Sequence, residues 1–298
     1  MTSEAPVMTP QVADILVEAL PYIRRFAGMT IVVKYGGHAM VDEGLKADFA
    51  RDIVLLKFIG MNPVVVHGGG PQINEVLEQM GINSRFVRGM RLTDAPTMDV
   101  VEMGLGGKVH KSIVANINQQ GGRAVGLSGK DGDLLRAEKL KIVFQENEVT
   151  PPEIIDPGHV GKVVSVNPAI IQTLIRQGFI PIIAPVGAGV RGETYNINAD
   201  HVASQIAMAL SAGRLIYITD VDGVFDGDGA LISSISRRQI RAMIDGGVIS
   251  GGMIPKIECA LEALDKGVEK VPIINGKIRH ALLLELFTHQ GIGTEVTL

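Results

Sequence analysis

Apolar positions along this chain fall into two alternating patterns, short β-branched runs and longer stretches with helical spacing. Val12, Ile15, Leu16, Leu20, Ile23 and Phe26 predict an amphipathic helix over 11–27 that bends at Pro21 and packs on its own domain or on a neighbouring subunit. Ile31-Val-Val-Lys-Tyr35 and Pro63-Val-Val-Val-His67 read as strands, each followed by glycines, and the spacing predicts helices at about 43–59 and 71–80 after them. Residues 97–119 are helical in period but carry Gly104, Gly106 and Gly107, each costing about 1 kcal/mol relative to alanine. Those glycines read as letting something approach closely.

Residues 123–166 read as short strands with turns, hairpins that could form a lid, with a polar proline-bearing piece near 144–158. Helices follow at about 168–177 and 201–212, with strands Phe179–Ala184 and Leu215–Asp220. The chain closes with a strand near 271–274, a helix near 279–287 and Gly291-Ile-Gly293. Strand–helix alternation of this kind predicts a mainly parallel sheet with helices on both faces.

The 298 residues suffice for one elaborate domain or two lobes, and 46% hydrophobic with 20% charged residues is a globular balance. A net charge of −4 with a pI near 6.0 gives no broad basic field, which argues against nucleic acid as a partner. Cys259 is the sole cysteine, so no intrachain disulfide forms and a reducing cytoplasm is expected. Residues 1–10 lack a signal pattern, and the best apolar run, Phe179–Val190, is interrupted by prolines and glycines and is too short for a bilayer.

The chemistry concentrates where strands end. A strand stopping on Lys34-Tyr-Gly-Gly37 leaves a cation beside bare peptide N–H groups, which suits an anion. Gly68-Gly-Gly70 ahead of Pro71 leaves a helix start equally bare, and Gly251-Gly-Met-Ile-Pro-Lys256 repeats the theme with a lysine in the first turn. Each motif alone could be a tight turn; together they favour a phosphorylated ligand, since no nucleophile–base pair stands out. The phosphate-loop and protein-kinase motifs are absent. Gly187-x-Gly-x-x-Gly192 opens no helix, and Asp220, Asp222, Asp226 and Asp228 fail the calcium-loop spacing. Asp200 could simply cap a helix, Arg91 and Lys256 could be solvated charges, Cys259 reads as a buried small residue, and His67 reads as shaping its loop.

Lys34-Tyr-Gly-Gly37, His67-Gly-Gly-Gly-Pro71, Gly89-Met-Arg-Leu-Thr93, Asn196-Ile-Asn-Ala-Asp200, Thr219-Asp-Val-Asp-Gly223 and Gly251-Gly-Met-Ile-Pro-Lys256 stand in an order that resembles the amino acid kinase family. The resemblance runs from about residue 11 to the C-terminus. It implies a three-layer α/β/α sandwich around an open, mainly parallel eight-stranded sheet, behind an N-terminal extension over 1–28. Within the kinase domain, 29–298, the lobe over about 29–194 would take the substrate and that over about 195–298 ATP.

The members it resembles most phosphorylate the side-chain carboxylate of N-acetyl-L-glutamate with ATP, whose Mg2+ is carried by the nucleotide phosphates. On that resemblance Lys34 and Lys256 stabilise the transition state and Asp200 holds both. Gly69, Gly70, Arg91, Asn196 and Asn198 meet the substrate, with Arg91 clamping its α-carboxylate. Gly36, Gly37, Thr219, Asp220, Val221, Asp222, Gly223, Gly251, Gly252 and Met253 meet ATP. In the arginine-sensitive branch the terminal helices interlace dimers into a hexamer, a trimer of dimers. There L-arginine would be held by Tyr22, His280, Glu285 and Gly291, and a nitrogen-signalling protein is a conceivable partner.

Gly104, His110, Pro157 and Pro272 depart from the family pattern, and His110 should lie near the substrate pocket. Two other readings stay open. One is a non-catalytic arginine-sensing homologue, against which stand Lys34, Lys256, Asp200 and the lack of residues for an acetyltransferase. The other is a sister kinase for aspartate, carbamate or uridylate, which Arg91 and Asn196 fit less well.

Overall fold

The computed structural model describes residues 10–87, 90–144 and 153–298. Gly89, the piece 145–152 within the expected lid, and the polar start 1–9 lie outside the described residues. Eight strands form one sheet: β1 Thr30–Tyr35, β2 Asn62–His67, β3 Ala124–Ser128, β4 Ile180–Ala184, β5 Arg214–Thr219, β6 Ser234–Ser236, β7 Val271–Asn275 and β8 Thr294–Thr297. Their order is β6-β8-β7-β5-β1-β2-β4-β3, with every neighbouring pair parallel except β7 with β8.

The helices are α1 Pro10–Phe26, α2 Glu43–Phe58, α3 Gly70–Gln79, α4 Ala95–Met103, α5 His110–Gln119, α6 Ala169–Arg176, α7 Ala199–Ala209, α8 Arg237–Asp245, α9 Met253–Asp265 and α10 Ala281–Phe287. Side chains alternate across a strand, and β1 shows the consequence. Val32 joins a core with α7 and α9, while Ile31, Val33 and Tyr35 join the opposite core with α2, α5 and α10. The sheet is therefore covered on both faces, as the alternation predicts, and Lys34 shares the face of Val32 beneath α7. Among the described residues no helix is long and apolar enough to cross a membrane.

Caps explain several helix starts. Asp42 accepts from Leu45 N at 2.8 Å, Asp94 from Thr97 N at 3.0 Å, and Ser236 with Gln239 forms a reciprocal capping box. The C-terminal half holds elements that periodicity did not single out, β6, α8 and β8; the three-residue β6 is too short to display a period.

The stretch 97–119 is not one helix. Gly104–Val109 is a wide, π-type turn between α4 and α5, a form glycines tolerate without side-chain crowding. A Cβ on Gly104 would meet Ile73 at an ordinary 3.8 Å, and one on Gly106 or Gly107 would meet nothing described within 4 Å. The close approach expected there is thus not made by the described chain. Residues 135–139, 160–166, 186–188 and 194–197 close a small four-stranded barrel, and Gly187-x-Gly-x-x-Gly192 runs from one of its strands into a hairpin turn.

Helix α1 runs through Pro21 and packs only by its end. Phe26 is buried, whereas Ile15 and Leu16 are each 64% exposed and Leu20 50%. The expectation that its apolar face packs on its own domain holds for its C-terminal end, where Tyr22 also lies against Phe287 and His289. At the other edge, Gly126 in β3 leaves room for the His110 ring: a Cβ there would lie 2.1 Å from His110 Nε2. Gly126→Ala should therefore lower stability by about 1–3 kcal/mol through overpacking, seen as a lower urea midpoint; an unchanged midpoint would mean the ring swings away freely.

Candidate active site

Because β1, β2 and β5 are adjacent and parallel, their carboxyl ends open on the same edge of the sheet, where ligands of open α/β sheets bind. Lys34 is the penultimate residue of β1, in register with Val66 of β2 and Tyr217 of β5. Its ammonium lies 3.2 Å from Asp200 Oδ1, and Lys256 Nζ donates to Asp200 Oδ2 at 2.6 Å. One carboxylate thus joins two lysines that are far apart in sequence.

Local structure frees Asp200 for that task. Asn198 caps α7, its Oδ1 accepting from Asp200 N at 2.8 Å and His201 N at 3.3 Å, so the aspartate is not the cap. Burial alone would raise the Asp200 pKa, but the charges of Lys34 and Lys256 outweigh it and hold the carboxyl below its ordinary value. Burial pushes Lys256 below the usual lysine range against the pull of Asp200. Tyr217, which the sequence placed in a strand without a part in the site, supports the group twice. Its hydroxyl donates to Asp200 O at 3.2 Å, and its ring centroid lies 5.1 Å from Lys256 Nζ.

The glycines that follow Lys34 lie close against polar side chains. A Cβ on Gly36 would lie 2.5 Å from Lys34 Nζ; one on Gly37, whose φ is +72°, would lie 2.4 Å from Asp220 Oδ1. Asp220, Val221 and Gly223 follow Thr219 at the end of β5, and Asp222 accepts from Asn275 Nδ2 at 2.7 Å. Gly251 and Gly252 precede Met253, the first residue of α9, without a side-chain cap; Met253 N and Ile254 N donate to Ser250 O and Gly251 O, each at a long 3.3 Å.

A second cavity, about 230 Å³, lies beyond β2 and is lined by Gly69, Gly70, Arg91, Asn196 and Asn198 together with Phe86, Leu105, Leu140 and Val160. Every residue expected to meet the substrate therefore converges there. Arg91 is buried, donates to Ser84 Oγ, Asn74 Oδ1 (2.6 Å) and Gly70 O (3.4 Å), and lies over the Phe86 ring. Asn74 and Ser84 were not foreseen, because polar residues in a helix and a loop carry no pattern of their own.

Asn196 Nδ2 donates to the buried Thr93 Oγ1 at 3.4 Å, and Thr93 N to Pro157 O at 2.9 Å. Pro157 takes part through its carbonyl, which proline retains. His110 stands behind the pocket rather than in it. Its Nδ1 lies 2.8 Å from His67 Nε2, and His67 Nδ1 lies 2.7 Å from Gly68 O. Burial pushes His67 down to about 3 and His110 to about 4, so both rings are neutral at physiological pH. His67 shapes its loop, as the sequence suggested.

Tyr22, Glu285 and Gly291 line a separate cavity of about 560 Å³ with Arg25, Arg214, Lys270 and Glu295. Glu285, its pKa raised by burial, accepts from Ile292 N at 2.9 Å. His280 does not join them: its Nδ1 bonds Asp52 at 2.6 Å, and neighbouring Arg279 bonds Asp48, tying the start of α10 to α2.

The sequence model of the amino acid kinase family matches residues 29–275. An acetylglutamate kinase of Syntrophus aciditrophicus (strain SB) is 57% identical over 286 residues, 96% of this chain and 97% of that one. Among solved structures, N-acetylglutamate synthase from Neisseria gonorrhoeae complexed with coenzyme A and N-acetyl-glutamate superposes with TM-score 0.82 at 27% identity, over 96% of this chain. The same protein complexed with coenzyme A and L-arginine gives TM-score 0.78 at 25%. This chain spans 63–65% of those longer chains. Sheet order, cleft and sequence agree, and the chain belongs to the amino acid kinase family.

Proposed function

We propose that this protein transfers the γ-phosphoryl group of ATP to the side-chain carboxylate of N-acetyl-L-glutamate, giving N-acetyl-L-glutamyl 5-phosphate and ADP, the second step of arginine biosynthesis. The observation that carries the reading is the Lys34–Asp200–Lys256 bridge at the carboxyl ends of the sheet strands, with glycine turns at Gly36–Gly37, Gly68–Gly70 and Gly251–Gly252 around it. The 57% identity to an acetylglutamate kinase over nearly the whole chain supports the choice of acceptor.

The acceptor is a carboxylate, with an ordinary pKa near 4.3, so it is ionised at neutral pH and needs no general base. The barrier lies in bringing an anion to a polyanion, and preorganised cations lower it. Two ammoniums and one carboxylate leave a net positive charge at the bridge. Asp200, held below its ordinary pKa, keeps both lysines aimed and does not take a proton.

Residues 29–194 would supply most of the acceptor side, with Arg91 gripping the α-carboxylate and Gly69 and Gly70 around it, and Asn196 and Asn198 would reach it from the start of 195–298. Residues 195–298 would supply the nucleotide side, from Thr219–Gly223 and Gly251–Met253, with the N–H groups of Gly36 and Gly37 toward the phosphates. Glycine turns and lysine charges fit a triphosphate, and Mg2+ arriving on it would neutralise part of its charge.

Within the same reading, the cavity at Tyr22, Glu285 and Gly291 is the place for L-arginine as feedback inhibitor. Glu285 can receive a cationic group, and Arg25, Arg214 and Lys270 offer partners to a carboxylate. The gonococcal synthase complexed with L-arginine supports this use of a related fold. The exposed stripe Ile15, Leu16 and Leu20 on α1 suits packing against another subunit, as a hexamer built through these helices requires. The contacts of Arg279 and His280 with α2 would carry the coupling toward the cleft.

A coupled ADP-release assay across N-acetyl-L-glutamate, glutamate, aspartate, carbamate and uridylate should show turnover with the first alone. Lys34→Ala and Lys256→Ala should each cut it by about a hundredfold or more in a folded protein, the scale for losing one oriented donor; near-normal turnover in either variant would sink the reading. Arg91→Lys should raise the KM for N-acetyl-L-glutamate far more than that for ATP, since an ammonium cannot reproduce a bidentate grip. Parallel changes in both constants would remove Arg91 from the carboxylate. Deleting residues 1–26 should leave an active dimer blind to arginine, and Glu285→Ala should desensitise the intact assembly. A full-length protein that sediments as a dimer and ignores millimolar arginine contradicts the regulatory proposal.

A further inference from the structure

A cleft of about 190 Å³ lies among α2, α3 and α5 and shares no lining residue with the cavities at Arg91 or at Glu285. Its floor is apolar and closely packed. Tyr35 and Phe49 stack with ring centroids 3.7 Å apart, and Met40, Ile113 and Ile117 surround them, none of the five more than 7% exposed. The mouth carries charge of both signs: Lys46 from α2, Glu75 from α3 and Lys108 from the wide turn, with Lys108 and Glu75 paired across it at 3.5 Å.

Gln72, which also lines the cleft, donates Nε2 to Met40 O at 3.1 Å, while its Oε1 is buried without a partner among the described residues. A buried acceptor in that state costs free energy until a donor reaches it. The volume is below the roughly 300–1,000 Å³ of sites for drug-sized molecules and nucleotides, so the ligand it suits is small. An apolar floor, separated anionic and cationic groups at the mouth and an unmet acceptor are together the complement of one class, a zwitterion with an apolar side chain.

We propose that this cleft binds an apolar α-amino acid. The side chain rests on the Tyr35–Phe49 floor, the ammonium faces Glu75 and the Gln72 amide oxygen, and the carboxylate faces Lys108 and Lys46. The weak exposed pair Lys108–Glu75 is thereby exchanged for two pairs to the ligand. The site backs onto both glycine turns of the candidate active site: Tyr35 follows Lys34, Met40 lies three residues after Gly37, and Gln72 sits in the first turn of α3 after Gly69. An occupant there is placed to influence how those turns are held. The proposal stands on the cleft itself and is independent of the reaction assigned above.

The full-length protein, labelled at methionine and isoleucine methyls, is titrated with L-phenylalanine and followed by NMR. Saturable shifts should appear at Met40, Ile113 and Ile117 and persist when N-acetyl-L-glutamate is present in excess. Phenethylamine, which lacks the carboxylate, and 3-phenylpropionate, which lacks the ammonium, should each bind about tenfold more weakly, and Glu75→Gln and Lys108→Met should each weaken L-phenylalanine about fivefold, the scale of partly exposed charge contacts. The proposal is overturned by any of four results: no saturable shift, a truncated probe that binds as tightly as L-phenylalanine, indifference to both substitutions, or displacement by N-acetyl-L-glutamate.

Discussion

The arrangement of the cleft depends on one buried carboxylate. Asp200 holds Lys34 and Lys256, and its charge offsets the burial that pushes Lys256 below the usual lysine range, since an unpaired buried ammonium carries a desolvation cost of several kcal/mol. The converse also holds, because the two cations are what keep Asp200 ionised against its burial. The bridge leaves one positive charge in excess, and that excess, fixed before any ligand arrives, is what a phosphoryl group in transfer can use.

Much of the surrounding structure serves to let this bridge form. Asn198 takes over the capping of α7, and Tyr217 holds the Asp200 carbonyl while its ring lies by Lys256. Gly36 leaves room for the Lys34 ammonium to lie across it. The same economy recurs on the acceptor side, where Ser84, Asn74 and the Gly70 carbonyl fix the Arg91 guanidinium and the neutral His67–His110 pair fixes the Gly68 carbonyl. These are polar groups satisfied inside the protein, and they set geometry more than they add stability.

The two remote features share a link to the helix layer around α2. Arg279 and His280, on the approach to α10, bond Asp48 and Asp52 of α2, so a movement of α10 beside the Glu285 cavity bears on the helix that packs under β1. The apolar cleft lies on that same helix through Lys46, Phe49 and Ala50. Helix α2 is thus the element through which either cavity could affect Lys34, two residues before the turn at Gly36.

What the sequence determined by itself was the set of local signals. β-branched runs marked the longer strands, helical spacing marked most helices, and glycines at strand ends marked the turns where an anion could sit, because each depends on neighbours a few positions away. Ordered motifs then pointed to Lys34, Asp200, Lys256 and Arg91. Tertiary structure alone decided which groups meet: that Asp200 is a bridge and not a cap, that His280 turns to Asp48 and Asp52 away from Glu285, and that His110 pairs with His67 behind the pocket. It also split 97–119 at a wide turn, left the apolar stripe of α1 uncovered, and placed Asn74, Ser84 and Tyr217 where no periodicity could. These outcomes rest on contacts between residues as much as 231 positions apart, between Asp48 and Arg279, and packing distance is not written in spacing along the chain.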